Sequence, residues 1–198
     1  MAWAKNGTPD TLTGTGSALE ITDLTAQTFN QFMTNQIVNS GNVLSLFTFN
    51  NNTNSVYAVR NSNNGGSDYT AINQAGSQDT SPTIDTVGEQ SFTVMYTCSV
   101  SGQEKLSMWW SMNTDSGTGA GYAPQRREEV FKFVPSPDVG ITSIEHDNHS
   151  SGSMAIGTNL SALGSDGVES MKVQDGAVFY ETDTNKSYVL YNNTWSEL

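Results

Sequence analysis

Apolar and polar residues alternate most regularly between Ser91 and Met112. Phe92, Val94, Tyr96, Cys98 and Val100 take one set of positions, and Ser91, Thr93, Thr97 and Ser99 take the other. After a break at Ser101–Glu104, Leu106, Met108, Trp110 and Met112 alternate with Lys105, Ser107 and Ser111. A period of two predicts half-buried antiparallel strands, with the apolar set turned to a core and the hydroxyl set to water. The Ser-Gly-Gln-Glu break joins the two runs as a hairpin. Met95 and Trp109 stand among the polar positions, and large apolar side chains there point to a second layer or an interface.

Other segments extend the pattern. Val43–Phe49 and Val56–Arg60, separated by an Asn-rich turn, read as a hairpin. Residues 126–134 read as a strand ended by Pro135 and Pro137, and Ile141–Glu145 as one more. The run from Asp23 to Ile37 is open between helix and strand. Phe29, Phe32, Met33 and Ile37 fall at helical spacing, but Thr and Asn are weak helix formers. Residues 1–16 read as an extended arm, Asn61–Pro82 as an exposed loop, and Asn113–Pro124 as another loop centred on Asp115. A linker or crossing loop spans 141–168, with a short strand or turn near Met154–Leu163. Residues 169–198 form a separate hairpin unit. At least seven strands without βαβ alternation predict an all-β, jelly-roll-like antiparallel sandwich over 1–140 with a C-terminal hairpin.

Composition narrows what such a fold can do. The chain has 198 residues and a net charge of −12, with only 8 Lys and Arg. That surface repels phosphate backbones and anionic lipid heads, so nucleic acid and membranes are poor partners. An N-terminus without an apolar leader core predicts synthesis in the cytoplasm. A single cysteine, Cys98, cannot form an intrachain disulfide, and its place in an alternating run predicts a small buried hydrophobe.

Candidate chemistry is sparse. His146 and His149 lie in Glu145–His149 with carboxylates around them, but a metal shell needs further ligands from elsewhere. A solvated loop is the simpler reading, and no metal or cofactor is expected. No Gly-x-Ser-x-Gly elbow or phosphate loop occurs. Glu128 and Glu129, adjacent in a strand, face opposite ways and cannot act as a carboxylate pair. No catalytic residue emerges. Exposed aromatic rings such as Trp109 could instead stack on a glycan. Arg126 and Arg127 could pair with an acidic patch on a neighbouring copy or within the chain.

The C-terminal segment carries a resemblance. Asp175-Gly-Ala-Val-Phe-Tyr-Glu-Thr-Asp-Thr-Asn-Lys-Ser-Tyr-Val-Leu-Tyr-Asn-Asn-Thr-Trp195 resembles a recurring element of virion proteins. In that element an acid-Thr-Asp-Thr turn precedes Lys, an aromatic strand and a Thr-Trp close. Ile21–Thr25 and residues 126–133 look like parts of β-sandwich structural proteins of marine tailed or archaeal viruses. The resemblance implies a non-enzymatic virion-surface protein: a capsid decoration, capsomer-associated or tail-surface component. It implies homo-oligomeric assembly, with a trimer favoured, and contact with other virion proteins. Met95, Trp109, Arg126, Arg127, Tyr180, Tyr188, Tyr191 and Trp195 are the interface candidates. A carbohydrate- or receptor-binding module with a surface glycan as ligand is the alternative.

Overall fold

A computed structural model describes residues 3–78, 84–114, 119–166, 176–192 and 194–198. These residues contain strands and no helix, and every pairing among them is antiparallel. The chain divides into two compact units, 3–166 and a C-terminal unit from 167.

The first unit is a sandwich of two unequal sheets. Its strands are β1 (Ala4–Lys5), β2 (Asp10–Thr11), β3 (Ala18–Ile21), β4 (Phe29–Ser40), β5 (Ser45–Phe49), β6 (Tyr57–Asn63), β7 (Tyr69–Gln74), β8 (Ser77–Gln78), β9 (Gln90–Cys98), β10 (Lys105–Asn113), β11 (Gln125–Phe133), β12 (Ile144–Asn148), β13 (Ser153–Met154) and β14 (Asn159–Ser165). The large sheet runs β1-β14-β4-β9-β10-β11-β6-β7, with β13 and β2 paired at its side. The small sheet runs β3-β12-β5-β8. Rings from the small sheet meet the large one: Phe49 lies 5.8 Å from Phe32 and 5.7 Å from Phe133, and Phe47 lies 6.3 Å from Trp109. Leu19, Ile21, Ile141, Ile144 and Leu160 complete the core.

Several sequence expectations change. The ambiguous run is the twelve-residue strand β4, central in the large sheet and without a helical turn. Its neighbours on both sides supply ladder partners over most of its length, and those outweigh a weak helical spacing. β5 and β6 do not pair as a hairpin. The turn between them carries the chain from the small sheet to the large one, and the Tyr57 hydroxyl accepts from Phe49 N at 2.7 Å to pin the corner. Residues 61–78 are a loop only in part, since they contain the end of β6, all of β7 and β8. The segment 141–166 is no linker: β12 sits between β3 and β5, and β14 beside β4. Within the expected arm, residues 4–16 are not free, because β1 and β2 pair with β14 and Gly16 bridges to Met154. The Asp115 loop centre, the segment Met171–Asp175 and the first residues of the C-terminal unit lie outside the described residues.

The second unit, by itself, is a three-stranded meander of β15 (Val178–Glu181), β16 (Lys186–Tyr191) and β17 (Thr194–Glu197). Asn185 and Asn192 take positive φ, 56° and 50°, in its two turns. Asn tolerates that region better than other side chains of its size. Phe179 stacks on Tyr188 at 5.0 Å and meets Trp195 edge-on at 5.0 Å, all on one face.

Candidate functional site: an exposed apolar sheet face

The β9–β10 hairpin forms in the expected register, with Trp109 opposite Met95 and Trp110 opposite Val94. Its facing is the reverse of the expected one. Ser91, Thr93, Thr97, Ser107 and Ser111 are buried, while Phe92, Tyr96, Leu106, Met108, Trp110 and Met112 are exposed by 40–58%. Cys98 lies on this outer side too and is half-buried, so it is not the core residue its run predicts.

The inverted facing has a physical basis. The hydroxyls satisfy one another across the ladder, Ser91 with Ser111 and Thr97 with Ser107, each at 2.8 Å. A buried polar face is tolerated once its groups are paired. Small inner side chains also leave room for the rings that the small sheet brings to the interlayer space. Trp109, exposed by 1%, fills that space.

Trp109 anchors a buried polar network. Its Nε1 donates to Ser77 Oγ at 2.9 Å, and Ser77 donates to Glu129 Oε1 at 2.5 Å. Glu129 Oε2 accepts from Asn61 at 3.2 Å and from Arg127 at 3.4 Å, and the Arg127 guanidinium lies 5.4 Å from the Trp109 ring centre. Arg127 and Glu129 are two apart on β11 and so share its inner face. Met95, Trp109 and Arg127 are therefore elements of the interlayer core, not of a surface interface. The Arg127 pairing lies within the chain, and Trp109 cannot stack on a sugar.

His146 is likewise internal. Its ring stacks on Phe47 at 4.7 Å, with Nδ1 3.1 Å from Thr34 Oγ1 and Nε2 3.1 Å from Ser45 Oγ. Burial pulls its pKa down to about 4. His149 is exposed at the far end of β12, so the two histidines do not converge. No group of three or more metal-ligating side chains occurs among the described residues. Cys98 and His146 lie on opposite faces of the large sheet, so they form no dyad.

Of the remaining candidates, Arg126 is exposed at the start of β11 and makes no ion pair among the described residues. Tyr180 and Tyr191 are exposed, whereas Tyr188 and Trp195 are tied into the ring cluster of the second unit.

What the sequence reasoning missed is the outer face of the large sheet. A trough of about 830 Å³ crosses its strands, lined by Trp3, Phe29, Ile72, Tyr96, Leu106, Met108 and Val130, among others. Trp110 meets Tyr96 edge-on at 6.2 Å next to it. Seven outward apolar side chains on the adjacent strands β9, β10 and β11 (Phe92, Tyr96, Leu106, Met108, Trp110, Met112 and Val130) are exposed by 40–58%, the kind of grouped apolar surface that marks an interaction site. The outward positions of β4, β9 and β10 carry no charge in a chain of net charge −12. Cations gather at one rim: Arg60, paired with Asp68 at 2.9 Å, Arg126, and Lys132, paired with Glu104 at 3.0 Å. Met95 facing Trp109 in register on the hydroxyl side is the sequence signal for this outer face: of the two alternatives it raised, a second layer is what meets these residues, which leaves the alternating apolar set outside.

Fold and face together define an antiparallel β-sandwich whose large sheet presents an apolar outer surface, uncharged over β4, β9 and β10. Comparison with protein-family models, curated proteins and solved structures gives no match.

Proposed function

We propose that this protein is a non-enzymatic structural component of a virus particle, acting by assembly with copies of itself and with other particle proteins. The uncharged outer face of β4, β9 and β10 carries this reading. Apolar area of that size is unfavourable in water and is relieved by burial against another protein surface, at about 25 cal/mol per Å² before the costs of association. The placement in a virion surface rests on the Asp175–Trp195 resemblance. In support, its Thr-Asp-Thr-Asn segment is a tight turn with Asn185 at positive φ, between strands β15 and β16. Native mass measurement over a wide concentration range tests the assembly. Closed oligomers of the 21.3 kDa chain are expected, and a strictly monomeric mass at high concentration refutes it.

A glycan-binding role is the second reading, favoured by the exposed Trp110–Tyr96 pair beside the trough. Its ring would be Trp110. Retardation on a polysaccharide matrix that disappears in Trp110→Ala is the expected sign, and unretarded wild-type protein excludes it.

A further inference from the structure

We infer that the outer face of the large sheet is a two-fold interface between two copies of this chain, with Met108 and Trp110 near its centre. This rests on the assembly reading above and names the partner and the geometry.

Charge argues for a second copy. Two molecules of net charge −12 meet unfavourably over most of their surfaces, because carboxylates confront carboxylates. The outward positions of β4, β9 and β10 hold no carboxylate, and on the adjoining β11 the outward Glu128, opposite Trp110, has Arg126 two residues before it on the same face, so this is where two acidic copies approach with least repulsion. The rim cations Arg60, Arg126 and Lys132 are three of the chain's 8, and with Asp68 and Glu104 paired to two of them they keep this rim near neutral where the rest of the surface is acidic.

Area argues the same way. Seven large apolar side chains exposed by 40–58% on three adjacent strands, with a polar margin around them, form the kind of apolar centre that a standard stable interface of ~800 Å² per partner is built on. Shape allows self-pairing as well. The right-handed twist of a wide sheet makes its face a saddle, concave along one diagonal and convex along the other. Two such saddles mate when their strands cross at a large angle, as in orthogonal sheet packing. The trough of one copy then takes the convex diagonal of the other. A trimer would need heterologous contact between two different complementary surfaces, whereas one self-complementary face closes as a two-fold pair.

Cys98 is a native reporter, because it is the sole cysteine and lines the trough. The experiment combines sedimentation with the rate of thiol labelling of the full chain, for wild type, Met108→Glu and Trp110→Glu. Val87→Glu, an exposed position outside the face, serves as control. Circular dichroism confirms that each variant is folded. The expected result is a wild-type and Val87→Glu dimer, with Met108→Glu and Trp110→Glu monomeric. Cys98 labelling should slow about tenfold in the wild type at concentrations well above the dissociation constant, by mass action, and stay fast in the two face variants. Oligomers that persist in both face variants, with Cys98 labelled at a concentration-independent rate, overturn this interface while leaving assembly through another surface standing. A trimer that dissociates in the face variants overturns the two-fold geometry. A wild-type monomer at every concentration overturns the interface and the assembly reading together.

Discussion

Trp109 and Trp110 are neighbours in sequence with opposite surroundings, and truncating each in turn measures the inverted facing directly. Trp109→Ala removes a ring exposed by 1% between the two sheets. Such a deletion costs about 3–5 kcal/mol from lost transfer energy and the cavity left behind. The Arg127 guanidinium, 5.4 Å from the ring centre, loses its aromatic partner, and that adds about 1–2 kcal/mol in a desolvated setting. Ser77 Oγ also loses its donor. The total, on the order of 5 kcal/mol, is a large part of the 5–15 kcal/mol that holds a typical domain. Trp110, exposed by 44%, meets Tyr96 edge-on at 6.2 Å on the outer face. Its truncation should cost roughly 1–2 kcal/mol by the area it still buries. Urea unfolding followed by circular dichroism in dilute solution, where association contributes nothing, gives both values. Equal destabilisation by the two substitutions, or a larger effect from Trp110→Ala, would refute the assignment of the hydroxyl side to the core.

Three further outcomes follow from particular contacts. His146 has its pKa lowered to about 4 by burial, below the unfolded value of about 6.5, so the unfolded chain binds the proton more readily. Its contribution is complete above pH 6.5 and is lost as pH falls from there toward 4, by about 3 kcal/mol. His146→Asn should flatten that part of a stability–pH curve, and an unchanged curve would contradict it. Lys105 is fully buried and donates to Val100 O at 2.8 Å, Gln103 O at 2.9 Å and Asp138 at 2.5 Å. Lys105→Ala strands these acceptors at the β9–β10 turn and should cost about 3 kcal/mol in thermal unfolding, whereas Lys132→Ala, an exposed pair, should cost under about 1 kcal/mol. Asn185→Val places a β-branched residue at φ 56°, which should destabilise the β15–β16 turn by about 1–2 kcal/mol. Amide exchange of Tyr188 and Leu190 reports it, and unaltered protection would contradict the turn assignment.

Much of the strand architecture was readable from the chain. Period two at Ser91–Met112 fixed both strands of the hairpin and their pairing, because a turn of set length leaves one register. The opposite facing of Glu128 and Glu129, the strand over residues 126–133 and the Asn185 turn follow from local rules of the same kind. The second strand of the C-terminal unit and its aromatic clustering were equally local. These are properties of neighbours along the chain, and no distant partner is needed to define them.

Which side of an alternating strand meets the core is a different kind of fact. Alternation separates two sets of side chains, but the inner side is selected by what the opposite layer brings. Phe47, Phe49 and His146, 33–43 residues from the hairpin's nearest member, fill the interlayer space over Ser, Thr, Met95 and Trp109. Hydroxyl pairs then satisfy one another and make burial of the polar side possible. The same long-range selection made β4 a strand, drew β12 and β14 into the sheets from a Ser/Gly-rich segment, and withdrew Arg127, Trp109 and His146 from the surface. Local pattern determined where the strands are; the packing of two sheets about 10 Å apart, too close to hold every large ring, decided which rings were left facing water.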